Sequence, residues 1–197
     1  MTEFVLPYDP SIAPQQKPWD CGPASTQIVL NSRGIIESED SLIRDIGTTT
    51  NGTDDVSWVE HSMDRHGFSY SSVYVPDRPS AQDKEVFWGH AVSSINGGLG
   101  VVCNIVVAPG NYPRGVKGSR NPAYGGGTIW HYTAAMGYDD NPALRCLWIA
   151  DPGFRPYGYW VSLDQWITCI AGKGYCYADS VVAARQLLIP GVADLYA

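Results

Sequence analysis

Hydrophobic positions recur every three to four residues through much of the first half of the chain, and the pattern changes to short apolar runs in the second half. The first pattern predicts amphipathic helices, of which the first four each follow a capping residue and precede a glycine. The second pattern, interrupted by Gly, Pro and Asn, is typical of strands. Helices are predicted at residues 21–33, 39–46, 54–66, 81–95 and 163–170, and strands at residues 70–75, 101–107, 128–138, 144–150 and 157–161.

The order of these elements predicts an α+β fold, in which a helical part packs against an antiparallel sheet around one core. The first 18 residues contain four prolines and are predicted to run extended. A chain of 197 residues is long enough for one compact domain. No internal repeat or composition change marks a boundary, so residues 1–197 are predicted to form a single domain.

The regular pattern breaks at residues 108–127, which have the sequence APGNYPRGVKGSRNPAYGGG. An irregular segment of this length is unusual within a compact domain unless it is functional or disordered. Its only charged residues are Arg114, Lys117 and Arg120. We interpret these three cations as candidate substrate-binding residues for an anionic ligand, and the alternative is a solvated flexible loop.

Overall charge argues against two classes of partner. The net charge of −7 and the isoelectric point near 4.9 disfavour binding to nucleic acid or to anionic membrane surfaces. No apolar run approaches the roughly 18 residues that a bilayer span needs, and the amino terminus does not resemble a signal peptide. We therefore expect a monomer that is made in the cytoplasm without a signal peptide.

The five cysteines form an odd set without a C-x-x-C pair, which is poor material for a disulfide framework or a zinc site. We expect neither a metal nor another cofactor. Cys103, Cys146 and Cys169 lie in apolar segments and are predicted to be buried. Cys21 differs, because it falls at the predicted start of a helix, where the partial positive charge of the helix lowers a thiol pKa.

The residues around Cys21 are consistent with a nucleophile turn. Asp20 could cap the helix, Gly22 would let a substrate backbone approach the thiol, and Pro23 is tolerated in the first helical turn. Together these features predict a reactive thiol.

A reactive thiol in an acyl-transfer site needs an oxyanion donor, a base and a group that orients the base. Gln15, six residues before Cys21, is the predicted oxyanion donor, with Gln16 as the alternative if the register differs by one. His131 begins a predicted strand after a glycine-rich turn and is the candidate base. Asp151 follows the next predicted strand and is the candidate orienting acid.

Residues 15–25, with the sequence QQKPWDCGPAS, resemble the nucleophile segment of the papain-like superfamily, in particular that of the bacteriocin-processing double-glycine peptidases. Further segments resemble the amino-terminal peptidase domain of mycobacteriophage endolysins. These segments are IGTTTNGTD at 46–54, YPRGVKGS at 112–119, AYGGGTIWH at 123–131, MGYDD at 136–140 and DPGFRPYGYW at 151–160.

This resemblance implies a papain-like cysteine endopeptidase that hydrolyses peptidoglycan stem or cross-link peptides and acts at the cell wall after release, during phage-induced lysis of a mycobacterial host. It implies Cys21 as nucleophile, His131 as base and Asp151 as orienting acid. Such lysins usually continue into further catalytic or wall-binding domains, so we expect an excised domain or a minimal lysin. A thiol acyltransferase and a non-catalytic wall-peptide binding module remain alternatives.

Overall fold

The computed structural model describes residues 2–179, which form an α+β fold with five α-helices, one short 3-10 helix (Pro10–Ile12) and one seven-stranded antiparallel sheet. The helices are α1 (Cys21–Asn31), α2 (Glu39–Ile46), α3 (Val56–Arg65), α4 (Ala81–Asn96) and α5 (Leu163–Cys169). The strands are β1 (Glu3–Val5), β2 (Tyr70–Tyr74), β3 (Val101–Val107), β4 (Ile129–Asp139), β5 (Cys146–Ala150), β6 (Gly158–Ser162) and β7 (Gly174–Ala178). The predicted fold class is confirmed, while residues 180–197 of the predicted domain lie outside the described residues.

The sheet has the strand order β2-β7-β3-β4-β5-β6, and β1 pairs with the carboxyl-terminal part of β4. β4 is the longest strand, with 11 residues, and pairs with β3 on one side and β5 on the other. Because β4 and β5 are antiparallel, the start of β4 lies beside the end of β5. This arrangement brings the segments that contain His131 and Asp151 to the same end of the two neighbouring strands.

The helix α1 packs on β4 of the sheet and on α2. Nine of its 11 residues are buried, including Ile28, Val29 and Leu30 with no exposed surface. A helix that is apolar around its circumference is stable only where it is covered on all sides. Burial therefore fixes the helix start, and with it Cys21, against the sheet. Within residues 2–179, no helix is both long and apolar enough to cross a bilayer.

Two strands were not predicted from the sequence. β7 lies between β2 and β3, and most of its residues are buried on both faces, so it lacks the alternation that identifies a half-buried strand. β1 is three residues long and precedes the prolines. The helix bounds also differ slightly: α1 ends before the predicted residue 33, and α3 begins after Asp55, whose side chain accepts a hydrogen bond from the Ser57 N–H.

The segment 108–127 contains no helix or strand but is anchored to the fold by hydrogen bonds. The Tyr112 hydroxyl donates to the Gly127 carbonyl at 2.6 Å, which ties the two ends of the segment together. The backbone N–H of Val116 donates to the Trp160 carbonyl on β6 at 2.9 Å. The segment is therefore packed along β6.

Candidate active site

Cys21 is the first residue of α1, where the unpaired backbone amides of a helix carry partial positive charge. Only 9% of the residue is exposed. Pro23 lies in the same turn, where its missing N–H removes no helical hydrogen bond. The expected cap by Asp20 is wrong, since both of its carboxylate oxygens instead accept from the backbone N–H of Lys17 at 3.1 Å.

Gly22 is explained by a protein contact and not by the approach of a substrate. The space where its side chain would lie is occupied by Thr53, whose Oγ1 would overlap a Cβ atom at position 22. Thr53 is itself held by a hydrogen bond of 2.7 Å between its Oγ1 and that of Thr48. The glycine therefore lets the loop between α2 and α3 pack against the start of α1.

His131 lies at the start of β4, between Cys21 and Asp151. In the antiparallel pairing Ala134 lies opposite Ala150, which places Asp151 beside the beginning of β4. His131 Nε2 is 2.9 Å from Asp151 Oδ1, and the imidazole and the Cys21 thiol line the same two cavities. Because Nε2 is bound by the carboxylate, Nδ1 is the ring nitrogen left for the thiol. The structure thus aligns the predicted nucleophile, base and acid.

The electrostatic setting of His131 favours the protonated ring. Burial alone lowers the pKa of this imidazole, but the charge of Asp151 and the hydrogen bonds to Asp151 and Cys21 outweigh it and raise the pKa to about 10. An imidazolium next to a thiol stabilises the thiolate. The arrangement therefore places a protonated imidazole beside the Cys21 thiol.

Asp151 has no exposed surface, and its two oxygens accept five hydrogen bonds. Oδ1 accepts from His131 and from the backbone N–H groups of Gly153 and Phe154 at 3.0 and 3.1 Å. Oδ2 accepts from the hydroxyls of Tyr124 at 2.7 Å and Tyr159 at 2.9 Å. These donors hold the carboxylate in one orientation towards the imidazole.

The two tyrosines were not identified from the sequence. Burial and the Asp151 charge raise the pKa of both phenols well above the usual value, so both remain protonated donors. Tyr124 also stacks on Phe154 with ring centroids 3.9 Å apart, and Phe154 meets the His131 ring edge-on at 5.3 Å. These rings cover one side of the imidazole. No local pattern in the sequence connects these residues to Asp151.

Gln15 lies beside the turn that follows Asp151. Its backbone N–H donates to the Pro152 carbonyl at 2.9 Å, and its side-chain Nε2 donates to the Lys17 carbonyl at 2.6 Å. A Cβ atom on Gly153 would lie 3.2 Å from Gln15 Oε1 and 2.7 Å from His131 Cε1, so the carboxamide and the imidazole flank the same glycine. Among the described residues, the buried Oε1 of Gln15 has no hydrogen-bond partner. Gln16, the alternative, is exposed.

Two cavities meet at Cys21 and His131. The first measures about 400 Å³. It is lined by Gln15, Gln16, Lys17, Cys21, Trp130, His131 and Phe154, among others. The second measures about 200 Å³. Its lining includes Cys21, Asn51, Thr53, Asp54, Asn104, Trp130, His131 and Lys173. Trp130 borders both cavities and is 66% exposed, which makes it available for substrate contact.

A third cavity of about 340 Å³ extends this cleft away from the thiol. It shares Asp54, Asn104 and Lys173 with the second cavity and continues to Ser72 and Tyr74. Within residues 2–179, the side chains of Asp54 and Lys173 make no hydrogen bond or ion pair. The cleft therefore offers two carboxylates, Asp54 and Asp55, and one ammonium group, Lys173, on one side of the thiol.

The three cations of the segment 108–127 do not line these cavities. The Lys117 ammonium binds the carboxylates of Glu3, at 2.7 Å, and Asp139. Arg114 and Arg120 are exposed, and the backbone N–H of Arg114 donates to Gln165. Lys117 is thus neutralised by the body of the protein. The charged groups that line the cavities come from the segment before α1 and from the loops before α3 and β7.

The other four thiols have buried settings. Burial raises the pKa of Cys103 and Cys169 to about 12 and also raises that of Cys146 and Cys176. Cys103 has no exposed surface, as its apolar strand predicted. In the described part of the chain no group of three or more His, Cys, Asp or Glu residues could hold a metal ion.

Comparisons with known proteins agree with this geometry. Residues 11–168 match the family described as the Peptidase_C39 like family. The fold is similar to that of the peptidase domain of Streptococcus ComA, a bi-functional ABC transporter involved in quorum sensing, with a TM-score of 0.53 and 18% identity over 84% of this chain and 96% of that chain.

A second similar structure is a double glycine motif protease from an AMS/PCAT transporter in complex with the leader peptide. Its TM-score is 0.52, with 13% identity over 90% of this chain and 99% of that chain. No curated protein sequence matches the chain significantly. Since the family match spans most of the residues, the chain belongs to the Peptidase_C39 like family and is a cysteine peptidase.

Proposed function

We propose that Cys21, His131 and Asp151 form a catalytic triad that hydrolyses amide bonds in peptidoglycan stem or cross-link peptides, during phage-induced lysis of a mycobacterial host. The observation that carries the catalytic part is the 2.9 Å hydrogen bond between His131 and the buried Asp151 carboxylate, with the Cys21 thiol in the same cavities as the imidazole. A thiol at a helix start with a paired imidazole is the arrangement that thiol-dependent acyl transfer requires.

In the first half of the reaction the Cys21 thiolate attacks the substrate carbonyl carbon. A carbon–sulfur bond forms, and the carbonyl π electrons move onto the oxygen. The backbone N–H of Cys21 and an N–H of the Gln15 carboxamide donate to this oxyanion. When the carbonyl re-forms, the carbon–nitrogen bond breaks and His131 gives its proton to the leaving amine, which leaves a thioester on Cys21.

In the second half, neutral His131 accepts a proton from a water molecule as the water oxygen attacks the thioester carbon. The carbon–sulfur bond breaks, the thiolate leaves and the carboxylic acid product is released. The proton stays on His131, which restores the thiolate–imidazolium pair. Asp151 keeps Nε2 in place throughout, so that Nδ1 faces both the sulfur and the leaving group.

Support for a peptidoglycan substrate comes from the endolysin-like segments and their position in the fold. Segments 123–131 and 151–160 supply His131, Asp151 and the tyrosines that hold the carboxylate. Segment 46–54 supplies Asn51, Thr53 and Asp54 to the cleft wall. Three of the five endolysin-like segments therefore contribute residues to the site.

Digestion of purified mycobacterial peptidoglycan tests this proposal. The soluble products are analysed by mass spectrometry, with Cys21→Ala as the control and a peptide containing a double-glycine motif as a competing substrate. New peptide amino and carboxyl termini, absent with Cys21→Ala, are expected. Cleavage of the double-glycine peptide with intact peptidoglycan would overturn the proposed substrate and leave the triad in place.

The same experiment separates the other functions open to this fold. A thiol acyltransferase would join an added primary amine to the new carboxyl group in place of water, which adds the mass of the amine to the product. A binding module would retain stem peptides without any new terminus. Either result would contradict the proposed hydrolysis.

A further inference from the structure

Two carboxyl groups lie together, without exposure to solvent, behind the segment that leads into Cys21. Asp20 precedes α1 and has no exposed surface, while Glu39 begins α2 and is 1% exposed. The two side chains bind adjacent backbone amides, so they are neighbours, and the interaction with Asp20 contributes to a raised pKa of Glu39. A hydrogen bond between two carboxyl groups needs one proton on the pair, because a carboxylate has none to donate.

Each carboxyl group also holds one backbone amide of the segment 15–18. Glu39 Oε2 accepts from the Gln16 N–H at 3.0 Å, and both Asp20 oxygens accept from the Lys17 N–H at 3.1 Å. The Lys17 carbonyl in turn accepts from the Gln15 carboxamide. The carboxyl pair thus fixes the loop from one side, while the bond from the Gln15 N–H to the Pro152 carbonyl fixes it from the other.

The surrounding charges leave the pair short of a counterion. Lys17 is the cation that faces Glu39, but its ammonium forms its ion pair with Asp40. Asp45 on α2 is paired with Arg65 of α3, and Glu37, which precedes α2, is paired with His66. Arg44, the cation on α2, acts on Asp40. A second negative charge on the carboxyl pair would therefore be poorly compensated.

We propose that Asp20 and Glu39 share one proton and act as positioning residues, which hold the segment 15–18 so that the Gln15 carboxamide can bind the oxyanion. The proposal rests on the function of Gln15 proposed above. Loss of the shared proton places two buried charges side by side and releases the loop. Turnover then falls at alkaline pH while the thiol itself remains in place.

The direction of the pH effect follows from the pKa of Glu39. Burial and the hydrogen bond to Asp20 raise it from an ordinary value of 4.5 to about 8. A folded-state pKa above the unfolded one means that the folded protein loses stability as the pH rises from about 4.5 to about 8. The pKa of His131 is about 10. The first loss of activity on the alkaline side is thus assigned to the carboxyl pair.

Glu39→Gln tests the shared proton, because its amide supplies a permanent donor to Asp20 and an acceptor to the Gln16 N–H. We expect its kcat/KM on solubilised mycobacterial peptidoglycan to stay within about twofold of wild type at pH 6.5 and to decline only above pH 9. Glu39→Ala leaves both partners unsatisfied and should lower kcat about tenfold or more. Glu85→Gln, the same change at an exposed residue of α4, is the control and should keep the wild-type profile.

Two further measurements test the inference without any turnover of substrate. The rate of iodoacetamide labelling at Cys21, read by mass spectrometry, should be the same in Glu39→Ala as in wild type, because alkylation uses no oxyanion donor. The melting temperature of the wild type, relative to Glu39→Gln, should fall between pH 6 and pH 9. These results hold even if the substrate is not peptidoglycan.

Three outcomes would overturn the inference. The first is a Glu39→Gln enzyme whose activity declines near pH 8 as the wild type does. The second is a Glu39→Ala enzyme with wild-type kcat. The third is a difference in melting temperature between wild type and Glu39→Gln that does not change with pH.

Discussion

Adding a single methyl group at Gly153 should displace the imidazole of His131, the proposed base. A methyl group there would lie 2.7 Å from His131 Cε1 and 3.0 Å from Nε2, whereas ordinary contacts begin at 3.4 Å. The ring or the turn must therefore shift by about 0.7 Å. His131 is 4% exposed and has Phe154 against it, so the ring cannot move without losing its alignment. A displacement approaching 1 Å costs roughly 10²-fold in rate, or about 2.7 kcal/mol.

The Gly153→Ala variant is therefore expected to retain its fold and to lose roughly 30- to 100-fold in kcat/KM. The assay is peptidoglycan turnover together with the pH dependence of Cys21 alkylation, and circular dichroism monitors the fold. Gly125→Ala is a matched control, because a Cβ atom at Gly125 meets nothing within 4 Å. Wild-type kcat/KM in Gly153→Ala would refute the close packing of the turn on the imidazole.

Three further substitutions test other parts of the site. Tyr124→Phe removes one hydrogen-bond donor from Asp151. Since a hydrogen bond to a charged group contributes about 1.5–3 kcal/mol, kcat/KM should fall about tenfold or more in steady-state assays. Unchanged kinetics would contradict this role of Tyr124. Gly22→Ala should lower the free energy of unfolding by about 1–3 kcal/mol in denaturant titrations, because the new methyl group overlaps Thr53. Adding Thr53→Ala should recover part of this loss. If the effects of the two substitutions on the free energy of unfolding are simply additive, the overlap is contradicted. Lys173→Met should raise KM while kcat stays constant if the cleft cation supplies uniform binding, and an unchanged KM would remove it from the substrate site.

The nucleophile, base and acid could be proposed from the sequence because each has a local signal. Cys21 stands at a helix start with Asp20 and Gly22 around it, and His131 and Asp151 sit at ends of predicted strands. The structure brings these three together because β4 and β5 pair in antiparallel register. Their neighbours in space have no such signal, and Tyr124 reaches Asp151 from an irregular segment.

Contacts between distant parts of the chain account for the other differences. Asp20 has the residue type and position of a helix cap, but burial next to Glu39 redirects both oxygens to the Lys17 N–H. The sequence suggests that Gly22 faces a substrate, but in the structure Thr53 occupies the space beside it. The sequence also suggests that Lys117 can bind an anion, but in the structure its ammonium group is paired with carboxylates on β1 and β4.

Strands were predicted where one face is polar or where the apolar run is long. β3 and β4 satisfy this condition and were predicted to within one residue at each end. β7 has only five residues and is covered by its neighbours in the sheet, so its pattern lacks a polar face. The pairing of β7 with β2 and β3 involves residues far apart in the sequence, and such pairings leave no periodic signal in either segment.

Cleavage by Cys21→Ala is the most direct test of the proposed nucleophile. Wild type, Cys21→Ala and Cys146→Ala are compared on the same purified mycobacterial peptidoglycan, with products quantified by mass spectrometry and folding checked by circular dichroism. We predict that Cys21→Ala is folded and releases no peptide, while Cys146→Ala releases the wild-type products. Wild-type product release by folded Cys21→Ala would contradict the assignment of Cys21 as the nucleophile.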